Sequence, residues 1–156
     1  MFHSSKLLVS LSLLALSSVV LAQERPDLSG RWIEKSRDTF WLDISLEDSR
    51  LIVRSPVTVG GEQRVNSFVY ELDGTEGRNA ILTARGDTWE EVSQARWMAG
   101  AIVVSAQTVR PDGRSSESLT TYYVDPTGQL VRSSLSGALN GPAFSMTDWV
   151  VEFERE

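Results

Sequence analysis

Past its first 22 residues most of the chain keeps one period: apolar and polar side chains alternate in short runs, and most runs end near glycine, proline or aspartate. Phe40, Leu42, Ile44 and Leu46 occupy one set of positions, and Trp41, Asp43 and Ser45 the other. Near the C-terminus Trp149, Val151 and Phe153 alternate with Asp148, Val150 and Glu152. Successive side chains of a strand point to opposite faces, so this pattern predicts half-buried antiparallel strands. The spacing places them over 30–35, 39–46, 50–57, 64–72, 89–98, 101–110, 114–124, 129–135 and 145–154, with a further short one over 79–84. No segment in this part of the chain carries a sustained 3.6-residue apolar stripe bounded by caps.

The turn chemistry agrees with that reading. Gly60-Gly61, Asp73-Gly74, Asp112-Gly113 and Thr127-Gly128 each fall between alternating runs. Glycine supplies positive φ there, and aspartate bonds its own backbone. Pro111 and Pro126 precede two of these glycines, where a φ near −65° suits the first central residue of a β-turn. Strands joined by tight hairpins form an up-and-down meander, which hides its edges best by closing into a barrel. The expectation is an all-β, small lipocalin-like barrel; the alternative is a two-sheet β-sandwich. Sandwiches usually need longer crossovers, and the one long irregular connection spans 136–143.

Residues 1–22 read differently. Lys6 gives a charged start, residues 7–16 are almost wholly apolar, and Val20-Leu21-Ala22 suits a signal peptidase. The apolar run is shorter than the ~20 residues of a spanning helix. The expectation is a cleaved signal peptide over 1–22, a lead-in over 23–29 and one barrel domain over 30–156. The mature protein would begin at Gln23 and lie in the periplasm or outside the cell, with no integral membrane span. Removing Lys6 leaves 14 basic against 21 acidic side chains, a charge of −7. Such a surface repels polyphosphate, so nucleic acid is not an expected partner.

The Asp27-Leu28-Ser29-Gly30-Arg31-Trp32 opening resembles the start of lipocalin and wider calycin barrels, where Gly-x-Trp begins the first strand. With Lys35-Ser36, Tyr70-Glu71-Leu72-Asp73-Gly74, Ala95-Arg96-Trp97 and Pro111-Asp112-Gly113-Arg114, the chain over roughly 27–154 resembles small secreted bacterial lipocalin-like proteins. The resemblance implies that Trp32 closes one end of the barrel and that Arg155, after the last strand, stacks across its indole. Gly30, Trp32 and Arg155 would then be structural. The chain departs from lipocalins in lacking cysteine and an evident helix before the last strand.

The chemistry available is narrow. There is no cysteine, and the one histidine, His3, lies in the expected leader. That removes disulfides, thiolate and Ser–His nucleophiles and most zinc and haem sites, so no metal or cofactor is expected. Glu90 and Glu91 are adjacent on a strand and point apart, so they do not form a hydrolytic pair. Glu47-Asp48 falls in a turn, and no glycine pattern fits a phosphate or dinucleotide loop. An enzyme is not expected. The residues suited to an apolar pocket are aromatic: Trp41, Trp89, Trp97, Trp149, Phe68, Tyr70, Tyr122 and Tyr123. From these and the last strand, the expected ligand lining is Phe68, Tyr70, Trp97, Tyr123, Trp149 and Phe153. The functional expectation is an exported binder of a small apolar or amphipathic molecule. The alternative is a non-enzymatic envelope interaction module whose interior is packed. The sequence names no protein partner.

Overall fold

The computed structural model describes residues 25–138 and 146–156, and the side chains of all of these but 146–149. The expected leader over 1–22 and most of the expected 136–143 connection therefore lie outside the described residues. Ten strands follow one another: β1 (Gly30–Glu34), β2 (Arg37–Glu47), β3 (Arg50–Val59), β4 (Glu62–Glu71) and β5 (Asp73–Leu82) make the first half. The second half is β6 (Thr88–Met98), β7 (Ala101–Val109), β8 (Ser115–Val124), β9 (Leu130–Ala138) and β10 (Met146–Arg155). All pairings are antiparallel, in the order β4-β3-β2-β1-β10-β9-β8-β7-β6-β5. The protein is an all-β meander, curled into a nearly closed barrel.

β5 is longer than the sequence pattern predicts, beginning at Asp73 and not at Asn79. The stretch Asp73-Gly74-Thr75-Glu76-Gly77-Arg78 is too polar to alternate visibly, yet β6 holds it as a strand. The ladder slips between Asp73 and Glu76, where Asp73 Oδ1 accepts bonds from the Thr75 amide at 2.8 Å and hydroxyl at 2.7 Å. That bulge absorbs the turn chemistry of Asp-Gly.

The first and last strands pair in the middle of the sheet: Trp32 lies opposite Arg155, and Glu34 opposite Phe153. β4 and β5, neighbours in sequence, stand at the two ends of the sheet, and no backbone ladder joins them. Two asparagine side chains bridge them instead. Asn66 Oδ1 accepts from Leu82 N at 2.8 Å and its Nδ2 donates to Leu82 O at 3.0 Å. Asn79 does the same for Val69, accepting from N at 2.8 Å and donating to O at 3.3 Å. Each amide imitates a peptide unit and satisfies backbone groups that would otherwise be unpaired at a buried edge.

The core sits at the end where β1 begins and β10 finishes. Leu28, Trp32, Leu42, Leu51, Ile102, Leu130 and Phe153 are almost wholly buried there. Trp32 Nε1 donates to Leu28 O at 2.9 Å, drawing the lead-in beneath the barrel. Arg155 covers the same indole from outside, its guanidinium carbon 4.7 Å from the ring centroid. Gly30 has φ +130°, a conformation that favours glycine, while a Cβ there would meet Arg155 Nε at an ordinary 3.6 Å.

Candidate functional site

Above this plug the inward positions change character. On β8 they read Ser116, Ser118, Thr120 and Tyr122; on β9 they read Arg132, Ser134 and Ser136. Small hydroxyl side chains do not fill a barrel of this width, and a cavity of about 320 Å³ remains. Its apolar wall is Leu42, Val53, Phe68, Ile81 and Val104, and its floor carries Tyr70, Glu91, Tyr122 and Arg132. The volume sits at the lower end of the ~300–1,000 Å³ range of small-molecule sites. A depression of about 380 Å³ on the outer face, over Gln94, Ser105, Leu119 and Leu135, gathers neither aromatic rings nor opposite charges.

Register assembles the floor. Asn79 lies opposite Glu91 in the β5–β6 ladder, and its Nδ2 donates to Glu91 Oε1 at 3.0 Å. Tyr122 lies opposite Arg132 in the β8–β9 ladder, with the guanidinium carbon 6.0 Å from the phenol centroid. One row further, Thr120 and Ser134 share a buried hydroxyl–hydroxyl bond of 2.9 Å. Tyr70 completes the group, close enough to Glu91 to lower its pKa, as Arg132 is to Tyr122. The floor therefore gathers one carboxylate from β6, one guanidinium from β9 and two phenols around one cavity.

Burial governs the titration of these groups. Glu91 is 7% exposed, and desolvation raises its pKa, against the opposing pull of Asn79, Tyr70 and the Arg132 charge. Burial also raises the phenol of Tyr70 well above its ordinary value and that of Tyr122 less far. Both phenols are neutral donors at physiological pH. Among the described residues, no three acidic or histidine side chains gather as metal ligands. No helix among them is long and apolar enough to cross a membrane.

The structure brings together only some of the lining residues expected from sequence. Phe68 and Tyr70 face the cavity as a stacked pair, with centroids 6.2 Å apart. Tyr123 stands on the opposite face of β8, beyond exposed Leu119, and the inward place belongs to Tyr122. Phe153 is fully buried in the plug, 6.3 Å from Phe40, below the cavity. Trp97 packs half-buried against the lower core, with Arg25 5.5 Å over its ring. The Trp149 backbone pairs with Ser134, and its side chain lies outside the described residues. Glu91, Asn79 and Arg132 were not among the expected lining. The available signal was the run of small hydroxyls at alternate positions of β8 and β9, with Arg132 in the same inward set.

No protein-family model matches the chain, and no curated protein matches its sequence. Among solved structures, it is similar to the apo form of lipid binding protein 8 of Caenorhabditis elegans. The likeness covers 82% of this chain and 94% of that one, at 12% identity and a TM-score of 0.47.

Proposed function

We propose that the protein holds a small amphipathic molecule inside its barrel and acts as a binder, not a catalyst. The observation that carries this is the interior cavity of about 320 Å³, with an apolar wall on one side and a hydrogen-bonding floor on the other. A packed interior would have favoured an interaction module working through its surface. Apolar walls release water on receiving an alkyl or ring portion, while fixed polar groups orient the head. The carboxylate Glu91 has Glu90 as its neighbour on the other face, tied to Arg78 at 2.6 Å, so no second carboxylate on its own strand joins it. We also place the protein outside the cytoplasm, on the charged start, apolar run and Val20-Leu21-Ala22 of its first residues.

Native mass spectrometry of protein purified from its own host tests the binding reading. The expected result is a retained small molecule that is lost when the barrel is unfolded. Uniformly empty protein that also takes up no amphiphile on titration would overturn it. For location, the N-terminus of exported protein should be Gln23; retention of Met1 would contradict export by cleavage.

A further inference from the structure

We propose that the interior site selects amphiphiles with an uncharged, hydrogen-bonding head, such as a hydroxyl or amide, and that Glu91 is the residue that rejects anionic heads. The inference rests on the binding reading above and adds the class of ligand. It follows from the charges on the floor. Among the described lining residues, Glu91 and Arg132 alone are charged, and they oppose each other. A guanidinium alone in a cavity attracts a carboxylate or sulfate. Here that attraction is offset by a carboxylate held in the same space, so an anionic head would leave the cavity with a net negative charge in a poorly solvated place.

A neutral head meets no such conflict. Its O–H or N–H can donate to Glu91, and its oxygen can accept from Arg132 or from a phenol. The groups packed around Glu91 are fixed from several strands. Tyr70 comes from β4, Asn79 from β5, Tyr122 from β8 and Arg132 from β9, while β2, β3 and β7 contribute Leu42, Val53 and Val104. Asn79 is itself anchored by both backbone groups of Val69, so it holds the carboxylate toward the cavity and is not free to swing away with it. The position of the negative charge is built into the wall.

The test uses two probes with the same tail, 1-octanol and octyl sulfate, titrated calorimetrically into the wild-type chain, Glu91→Gln and the double variant Glu91→Gln/Arg132→Gln. Wild type should bind octanol at least about tenfold more tightly than octyl sulfate, the ratio expected when one desolvated like charge opposes the head. Glu91→Gln should raise octyl sulfate affinity by about tenfold or more and shrink the octanol-to-octyl sulfate ratio by at least as much. The double variant should lose that gain. A second measurement needs no variant. Octyl sulfate stays ionised on acidification, and the chain from residue 25 onward has no histidine. Its affinity for wild type should therefore rise relative to that of octanol as pH falls toward the ordinary glutamate value of 4.5, because burial makes this carboxyl take up its proton earlier than a solvated one. Equal binding of both probes to wild type, or a ratio unmoved by Glu91→Gln and by pH, would overturn the selectivity while leaving the binding reading standing. Folded protein that binds neither probe under any of these conditions would overturn both.

Discussion

Arg155 and Trp32 meet face to face across the foot of the barrel, the guanidinium carbon 4.7 Å from the indole centroid. The two residues have unequal tasks. Trp32 is 1% exposed and central to the plug, whereas Arg155 covers it from outside and bonds the carbonyls of Asp27 and Ser29 at 3.1 Å each. Truncating a buried tryptophan costs about 3–5 kcal/mol, while a cation–π contact contributes about 0.5–2 kcal/mol. Urea unfolding of Trp32→Ala should show the larger loss, and Arg155→Ala the smaller. A Trp32→Ala barrel as stable as wild type would mean that the plug is elsewhere.

The β4–β5 seam makes a separate prediction. Asn79→Asp keeps an acceptor for Val69 N and loses the donor that serves Val69 O and Glu91. It also sets a second carboxylate beside Glu91. Stability should fall by about 1–3 kcal/mol at neutral pH, the usual cost of stranding buried polar groups. Hydrogen exchange at Val69 should accelerate more than at residues inside the β6–β7 ladder. Unchanged exchange at Val69 would show that Asn79 does not fasten the seam.

Tyr122 and Tyr123 form a natural pair of controls. Tyr122 is 3% exposed and faces the cavity; Tyr123 is half-buried on the other face. Tyr122→Ala should cost about 3–5 kcal/mol, and Tyr123→Ala about 1 kcal/mol or less. Equal losses on denaturation would mean that the faces of β8 are assigned the wrong way round.

Glu91 also gives the pH dependence a sign. Its folded pKa lies above the ordinary glutamate value of 4.5, so between the two the folded chain binds more proton than the unfolded chain. The contribution of this group therefore grows as pH falls through that window, is complete below the ordinary value, and is lost as pH rises. Glu34 behaves oppositely: hydrogen bonds from Arg37 hold its pKa down, so its contribution is present at neutral pH and lost in acid. Comparison of wild type with Glu91→Gln isolates the first effect. Between neutral and mildly acidic pH, the melting temperature of wild type should gain on that of the variant. A constant difference would show that Glu91 titrates at its ordinary value.

Most of the barrel was legible because alternation is cheap to read where one face is apolar and the other wet. Leu42 and Ile44 against Asp43 show this on β2. Reading failed on β5 and β8 for a shared reason. The inner face of β8 is Ser116, Ser118, Thr120 and Tyr122, more polar than the outer set of Leu119, Thr121 and Tyr123, so hydropathy points the strand the wrong way. The inner positions of β5 include Asn79, placed to serve a seam and not a core. A polar cavity erases the signal by which inward positions are recognised. Opposite faces for Glu90 and Glu91 were readable from parity; that Glu91 is the buried one required the register with Asn79.

The seam carries a consequence of another kind. A hairpin between β4 and β5 would have left this sheet without ends. As the protein is built, both ends exist and are concealed only by facing each other across Asn66 and Asn79. Bare strand ends template the addition of further chains. Release of two amides would uncover both at once, leaving one molecule with two unpaired strand edges. The line that closes the monomer is thus also the line along which it would polymerise, and two asparagines hold the difference.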